Sequence, residues 1–161
     1  MITFAAGDVP SAGDLNDAVQ VGQIVLDVTA TADSNTWNSA TKVLTNLVGT
    51  FINNVAGAKY EIDATATVTK TDAGAGYGTL GLTFNPGGAC TGSETPIVSV
   101  TDRESESGAA YGMKLSGQFT ASSTGTYGVA CVGWIALGSG ILKLDGDANY
   151  AINRIKVTRS G

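Results

Sequence analysis

From Tyr60 to Thr69 apolar and polar residues alternate without a break. Tyr60, Ile62, Ala64, Ala66 and Val68 share one side, and Glu61, Asp63, Thr65, Thr67 and Thr69 share the other. Such a period of two predicts a strand with one buried face and one wet face. "TLGLTF" repeats the pattern with Leu80, Leu82 and Phe84. "YGMKLSGQFT" repeats it with Tyr111, Met113, Leu115 and Phe119 inside and Lys114, Ser116 and Gln118 outside. "YGVACVGWIA" is apolar on both sides, which predicts a central strand covered on both faces, with Trp134 packed in it. Shorter strands are expected over 24–29, 42–47, 51–55, 97–101, 141–144 and 151–157. "DAGAGYG", "NPGG", "STGT" and "DGDAN" supply the turns between runs. Many short strands at regular spacing predict an all-β fold, an antiparallel, jelly-roll-like β-sandwich.

The period differs only at the start. Pro10 precedes Ser11, and Ser11 with Asp14 forms an S-x-x-D capping pattern. Leu15, Ala18 and Val19 then fall on one helical face. A helix this short is unstable alone in water and needs something to dock on. The chain therefore divides into an N-terminal loop and short helix, 1–22, and a β-sandwich domain, 23–161.

A length of 161 residues suits one domain with a real core. Only 14% of residues are charged and 22 are Gly, a composition for closely packed sheets rather than a disordered tail. The net charge is −5 and no basic patch is evident, which argues against a nucleic-acid partner. No apolar run is long enough to insert in a membrane. The opening "MITFAAGD" lacks the basic and apolar regions of a signal peptide, so synthesis in a cytoplasm and a soluble product are expected. Asp8, Asp14, Asp17, Asp27 and Asp33 precede the first basic residue, Lys42, whereas Lys143, Arg154, Lys156 and Arg159 crowd the end. Either the two ends complement each other between subunits or both are simply solvated.

Candidate chemistry is sparse. The chain has no His, which excludes Ser-His-Asp and Cys-His nucleophiles and every His-bound metal. Cys90 lies in the Gly-rich "GGACTGS" but has no base to activate it. Cys90 and Cys131 are either independent core thiols or one disulfide. Asp102, Glu104 and Glu106 share one face of an extended "DRESES", where a solvated loop or edge strand explains them better than a glycosidase pair. "GYGTLG" matches G-x-G-x-x-G but leads into a strand, not a helix. Asp145, Asp147 and Asn149 have the spacing of a calcium loop, yet Tyr150 replaces its inner Gly and Lys156 its closing Glu. No catalytic residue, cofactor site or metal site is expected. Trp37, in the polar "SNTWNSAT", is the better candidate of the two Trp residues for an exposed glycan contact.

Phe4, Ala6, Gly7, Asp8, Val9, Ala12, Leu15 and Asn16 form a pattern. It resembles the N-terminal segment of small structural proteins of tailed bacteriophages, the head fibre, capsid decoration and minor tail proteins. "TWNSATKVL", "AGAKYEI", "SGQFTASSTGTYGV" and "INRIKVTRSG" have counterparts in the same group. The resemblance implies a non-enzymatic protein of the virion surface, made in the host cytoplasm and trimeric. Its partners would be copies of itself and the major capsid or tail protein of the same particle. The expected attachment interface is Phe4, Gly7, Asp8, Val9, Leu15, Asn16 and Val19. A decoration or head-fibre protein is the leading reading. A tail-fibre or minor tail protein with a receptor- or glycan-binding sandwich is the alternative, followed by a carbohydrate-binding module and a glycan-cleaving enzyme. The helix has a second explanation too, as a cover for one end of its own sandwich.

Overall fold

The computed structural model describes residues 21–161 except 73, 75, 105–107, 109 and 147–152. The expected N-terminal helix, the seven attachment residues and Glu106 lie outside the described residues. Nine strands are described: β1 (Ile24–Ala30), β2 (Val43–Asn53), β3 (Lys59–Lys70), β4 (Gly76–Pro86), β5 (Val98–Glu104), β6 (Ala110–Thr120), β7 (Gly125–Gly138), β8 (Leu142–Leu144) and β9 (Asn153–Arg159). They form two antiparallel sheets packed as a sandwich. One runs β1-β9-β3-β6 with β8 also paired to β3, and the other runs β2-β7-β4-β5.

The alternating positions build the core. Tyr60, Ile62, Ala64, Ala66 and Val68 of β3 are buried against Leu80 and Leu82 of β4 and Val129 and Cys131 of β7. Each buried aliphatic side chain contributes roughly 1.5–3 kcal/mol. One end of the core is aromatic, with Phe51, Tyr60, Phe84, Phe119 and Tyr127 in mutual contact at centroid distances of 4.5–6.3 Å. The Tyr60 hydroxyl donates to Asn53 Oδ1 at 2.7 Å, so the buried ring keeps its polar end satisfied.

β7 is a doubly covered central strand, as its sequence predicts. Its outer cover is the β4–β5 connection, which folds back across the four-stranded sheet. A Cβ at Gly128 would lie 2.3 Å from the Gly88 carbonyl oxygen and 2.7 Å from the Cys90 nitrogen, so glycine is what lets this loop lie on the strand. Glu94 holds the loop's shape by accepting from the Thr91 and Gly92 amides at 2.7 and 2.9 Å. Lys42 pins it to the start of β2 by donating to the Glu94 carbonyl at 2.6 Å.

Two expectations change. The segments 42–47 and 51–55 are parts of a single strand, β2. Its pairing with β7 shifts register between Leu44 and Val48, which breaks the alternation visible in the sequence. Gly49 makes no turn there; it gives room to Leu26 and Val28, whose side chains would lie 2.9–3.0 Å from an added Cβ. Trp134 is not in the core. It is half-buried on the outer face, where it meets Gly81 beside Pro96 of the covering loop.

β3 is flanked on one side by β6 and on the other by β9 and then β8. Between those two partners the ladder has a gap at Thr67. Asn153, fully buried, fills it: its Oδ1 accepts from the Thr67 amide at 2.7 Å and its Nδ2 donates to the Asp145 carbonyl. A side-chain amide here does the work of a missing strand residue.

Candidate functional site

The outer face of the five-stranded sheet carries the polar halves of four alternating strands. Register sets them in rows. One row reads Asp27, Lys156, Asp63, Ser116 across β1, β9, β3 and β6. The next reads Thr29, Arg154, Thr65, Lys114. A third places Thr158, Glu61 and Gln118 side by side, with Gln118 donating to Glu61 at 3.1 Å. Asp63, Thr65, Lys114, Arg154 and Lys156 together line a shallow depression of about 280 Å³.

Arg154 grips Asp27 with two nitrogens, Nε on Oδ1 at 2.7 Å and a terminal nitrogen on Oδ2. The guanidinium hydrogen bonds hold the Asp27 carboxyl below the ordinary carboxylate range, and Asp27 in turn raises Arg154. Lys143 pairs with Asp33 at the end of the same sheet. Two of the early aspartates, Asp27 and Asp33, thus pair with Arg154 and Lys143 of the basic end within the chain, and Asp8, Asp14 and Asp17 lie outside the described residues. The reason is that β1 and β9 are antiparallel neighbours, so residues 127 positions apart meet on one face.

Trp37 is not an exposed glycan contact. It is 1% exposed, joined to Leu142 by backbone hydrogen bonds of 2.8 and 3.0 Å, and its ring lies flat on Gly133 of β7. Asn35, Thr36, Asn38 and Ser39 beside it are exposed, while the indole enters the core. Asp102 is exposed on β5, the edge of the four-stranded sheet. Glu104 follows it on that edge strand. Asp145 accepts from the Thr69 hydroxyl at 2.8 Å. Asp147, Asn149 and Tyr150 of the calcium-like run lie outside the described residues. Among the described residues no group of three or more His, Cys, Asp or Glu is placed to hold a metal, and no helix is long and apolar enough to cross a membrane. The "GYGTLG" run opens β4.

Cys90 and Cys131 are free and buried. Burial pushes the Cys131 thiol up to about 12 and raises that of Cys90 as well. A thiol with a raised pKa stays protonated at neutral pH and is a poor nucleophile. Native protein at pH 8 is expected to take up no iodoacetamide label at either position, and unfolded protein to take it up at both. Rapid labelling of Cys131 in the native state, read by mass spectrometry, would contradict the burial.

Sequence reasoning placed Lys114, Asp63 and Thr65 on wet faces but did not bring them together with Arg154 and Lys156. The missing information was register, since a shift of one residue sends a side chain to the opposite face.

No protein-family model matches the chain, and no curated protein matches it. Among solved structures it is similar to the C-terminal domain of EclA, a sugar-binding protein. The identity is 16% over 83% of this chain and 78% of that one, with a TM-score of 0.44. It is similar to the CBM22-1 xylan-binding domain of Paenibacillus barcinonensis Xyn10C, at 9% identity over 88% of this chain and 97% of that one, TM-score 0.44. It is also similar to a chain of infectious bursal disease virus, Gt strain, at 10% identity over 84% of this chain and 33% of that one, TM-score 0.47. At such identities and scores these likenesses fix neither a ligand nor a partner.

Proposed function

We propose that the chain is a non-enzymatic virion surface protein of a tailed bacteriophage, a capsid decoration or head-fibre protein. It attaches through residues 1–22, displays the sandwich outward and works as a homotrimer. The observation that carries this reading is the winding of the sandwich. With β8 set aside, the orders β1-β9-β3-β6 and β2-β7-β4-β5 are those of a jelly roll, the double Greek key that recurs in viral capsid and lectin domains. The residue pattern from Phe4 to Asn16 supports the phage assignment by its resemblance to that group. The root of the segment is apolar too: Val21 and Ile24 are 46% and 50% exposed. Chemistry argues the same way, because the chain has no His and both of its thiols are buried.

The alternative, a tail-fibre or minor tail protein with a ligand-binding sandwich, is favoured by one observation, the cation-lined depression on the outer face. Electron microscopy of purified particles, with a tag fused after Gly161, separates the two. Label in threefold clusters over the capsid is the expected result. Label confined to the tail selects the alternative, and particles without label overturn both.

A further inference from the structure

We propose that the depression between Lys114, Arg154 and Lys156 binds an acidic sugar of the hexuronate type, one carboxylate on a ring of hydroxyls. This inference goes beyond the virion reading and does not depend on residues 1–22.

Charge sets the ligand's valence. The lining offers Lys114, Arg154 and Lys156 against the single carboxylate of Asp63. Asp27 already engages Arg154, so about one positive charge stays uncompensated over the depression. A monoanion balances that, and a phosphate dianion would exceed it. Among the described residues neither lysine has a hydrogen bond or close ion pair of its own, so both ammonium groups are available to a carboxylate.

Hydrogen-bonding capacity sets the rest of the ligand. Asp63 accepts hydrogen bonds from hydroxyl groups, and Thr65 both donates and accepts. Cations and acceptors mixed at this spacing suit a hydroxylated anion better than a bare one. The volume of about 280 Å³ accommodates a sugar unit. Three strands hold the lining in register, so little ordering is needed on binding. No aromatic ring stands on this face among the described residues, so recognition rests on charge and hydrogen bonds and weakens with salt. Many copies on one particle would turn weak single sites into firm attachment.

The test is an amide NMR titration of the full chain with trigalacturonate, with neutral galactotriose and inorganic phosphate as comparisons at equal ionic strength. Saturable shifts centred on Thr65, Lys114 and Lys156 are expected with trigalacturonate and not with galactotriose. Lys114→Ala combined with Lys156→Ala should weaken binding at least roughly tenfold, since both ammonium donors to the carboxylate are lost. Lys114→Arg with Lys156→Arg should retain binding, which guards against a folding effect of substitution. The proposal is overturned by any of these results: no saturable shift with trigalacturonate, equal binding of galactotriose, equal binding of phosphate at the same residues, or undiminished binding by the double alanine variant.

Discussion

Trp37→Ala is expected to destabilise the sandwich by about 3–5 kcal/mol, the range for emptying a large aromatic from a core. A domain of this size has a total of roughly 5–15 kcal/mol to lose, so the melting temperature should fall by on the order of 10 °C. The argument rests on fit. Trp37 is among the largest fully buried side chains. Its ring occupies the space that a side chain at position 133 would need: a Cβ there would sit 2.5–2.8 Å from three ring atoms. Gly133 of β7 has no side chain with which to close the void. Trp37→Phe should cost much less. The indole Nε1 has no hydrogen-bond partner among the described residues, so losing that N–H forfeits nothing and the phenyl ring fills part of the site. Thermal melts of the two variants check the order. Equal, small effects would mean that the indole does not pack on Gly133.

The same residue shows where the sequence is hard to read. "SNTWNSAT" is polar on both sides of Trp37, and a single residue that dips into a core leaves no period to detect. The signal lay elsewhere, in Gly133. A glycine amid the apolar run "VACVGWIA" marks a close approach by another part of the chain. The alternating strands are legible because burial on one face imposes a period of two, and β3 and β6 follow that rule. β2 was split in two because its bulge interrupts the period. The strand around Trp134 is apolar, so the sequence predicts a core position for it. Its outer side is apolar only because the loop around Cys90 and Pro96 lies over it, and such cover comes from tertiary contact that no local pattern records.

The candidate site was half legible. Each polar residue was recognised as solvent-facing from its own strand. Their meeting point depends on which strands are neighbours, and β9 lies between β1 and β3 although more than eighty residues separate Asp63 from Arg154. The basic C-terminal stretch shows in the sequence as a charge excess. Its partner, Asp27 of β1, comes from the other end of the described chain.

Leu15→Asp is expected to abolish attachment to the particle while leaving the sandwich intact. Leu15 leads the apolar series Leu15, Ala18, Val19 in the segment that is proposed to be the anchor. Interfaces depend on a few apolar anchors seated in desolvated pockets. A carboxylate at such a position must be buried charged or take up a proton, at a cost of about several kcal/mol, which lowers affinity by orders of magnitude. The core that gives the sandwich its stability is built from residues 37–157, so the variant's melting temperature should match the wild type. Asp102, Glu104 and Glu106 lie in a stretch that the sequence reads as a solvated loop or edge strand, so replacing them with Ser, Gln and Gln, at roughly 0–1 kcal/mol for each surface charge, should leave attachment nearly unchanged.

The measurement that tests the account most directly is co-sedimentation of these two variants with phage particles that lack the protein. The account predicts that the acidic-residue variant sediments with the particles as the wild type does, and that Leu15→Asp stays in the supernatant, folded. Binding by Leu15→Asp at wild-type level, with loss of binding only in the acidic-residue variant, would contradict it and point to a carboxylate-based site.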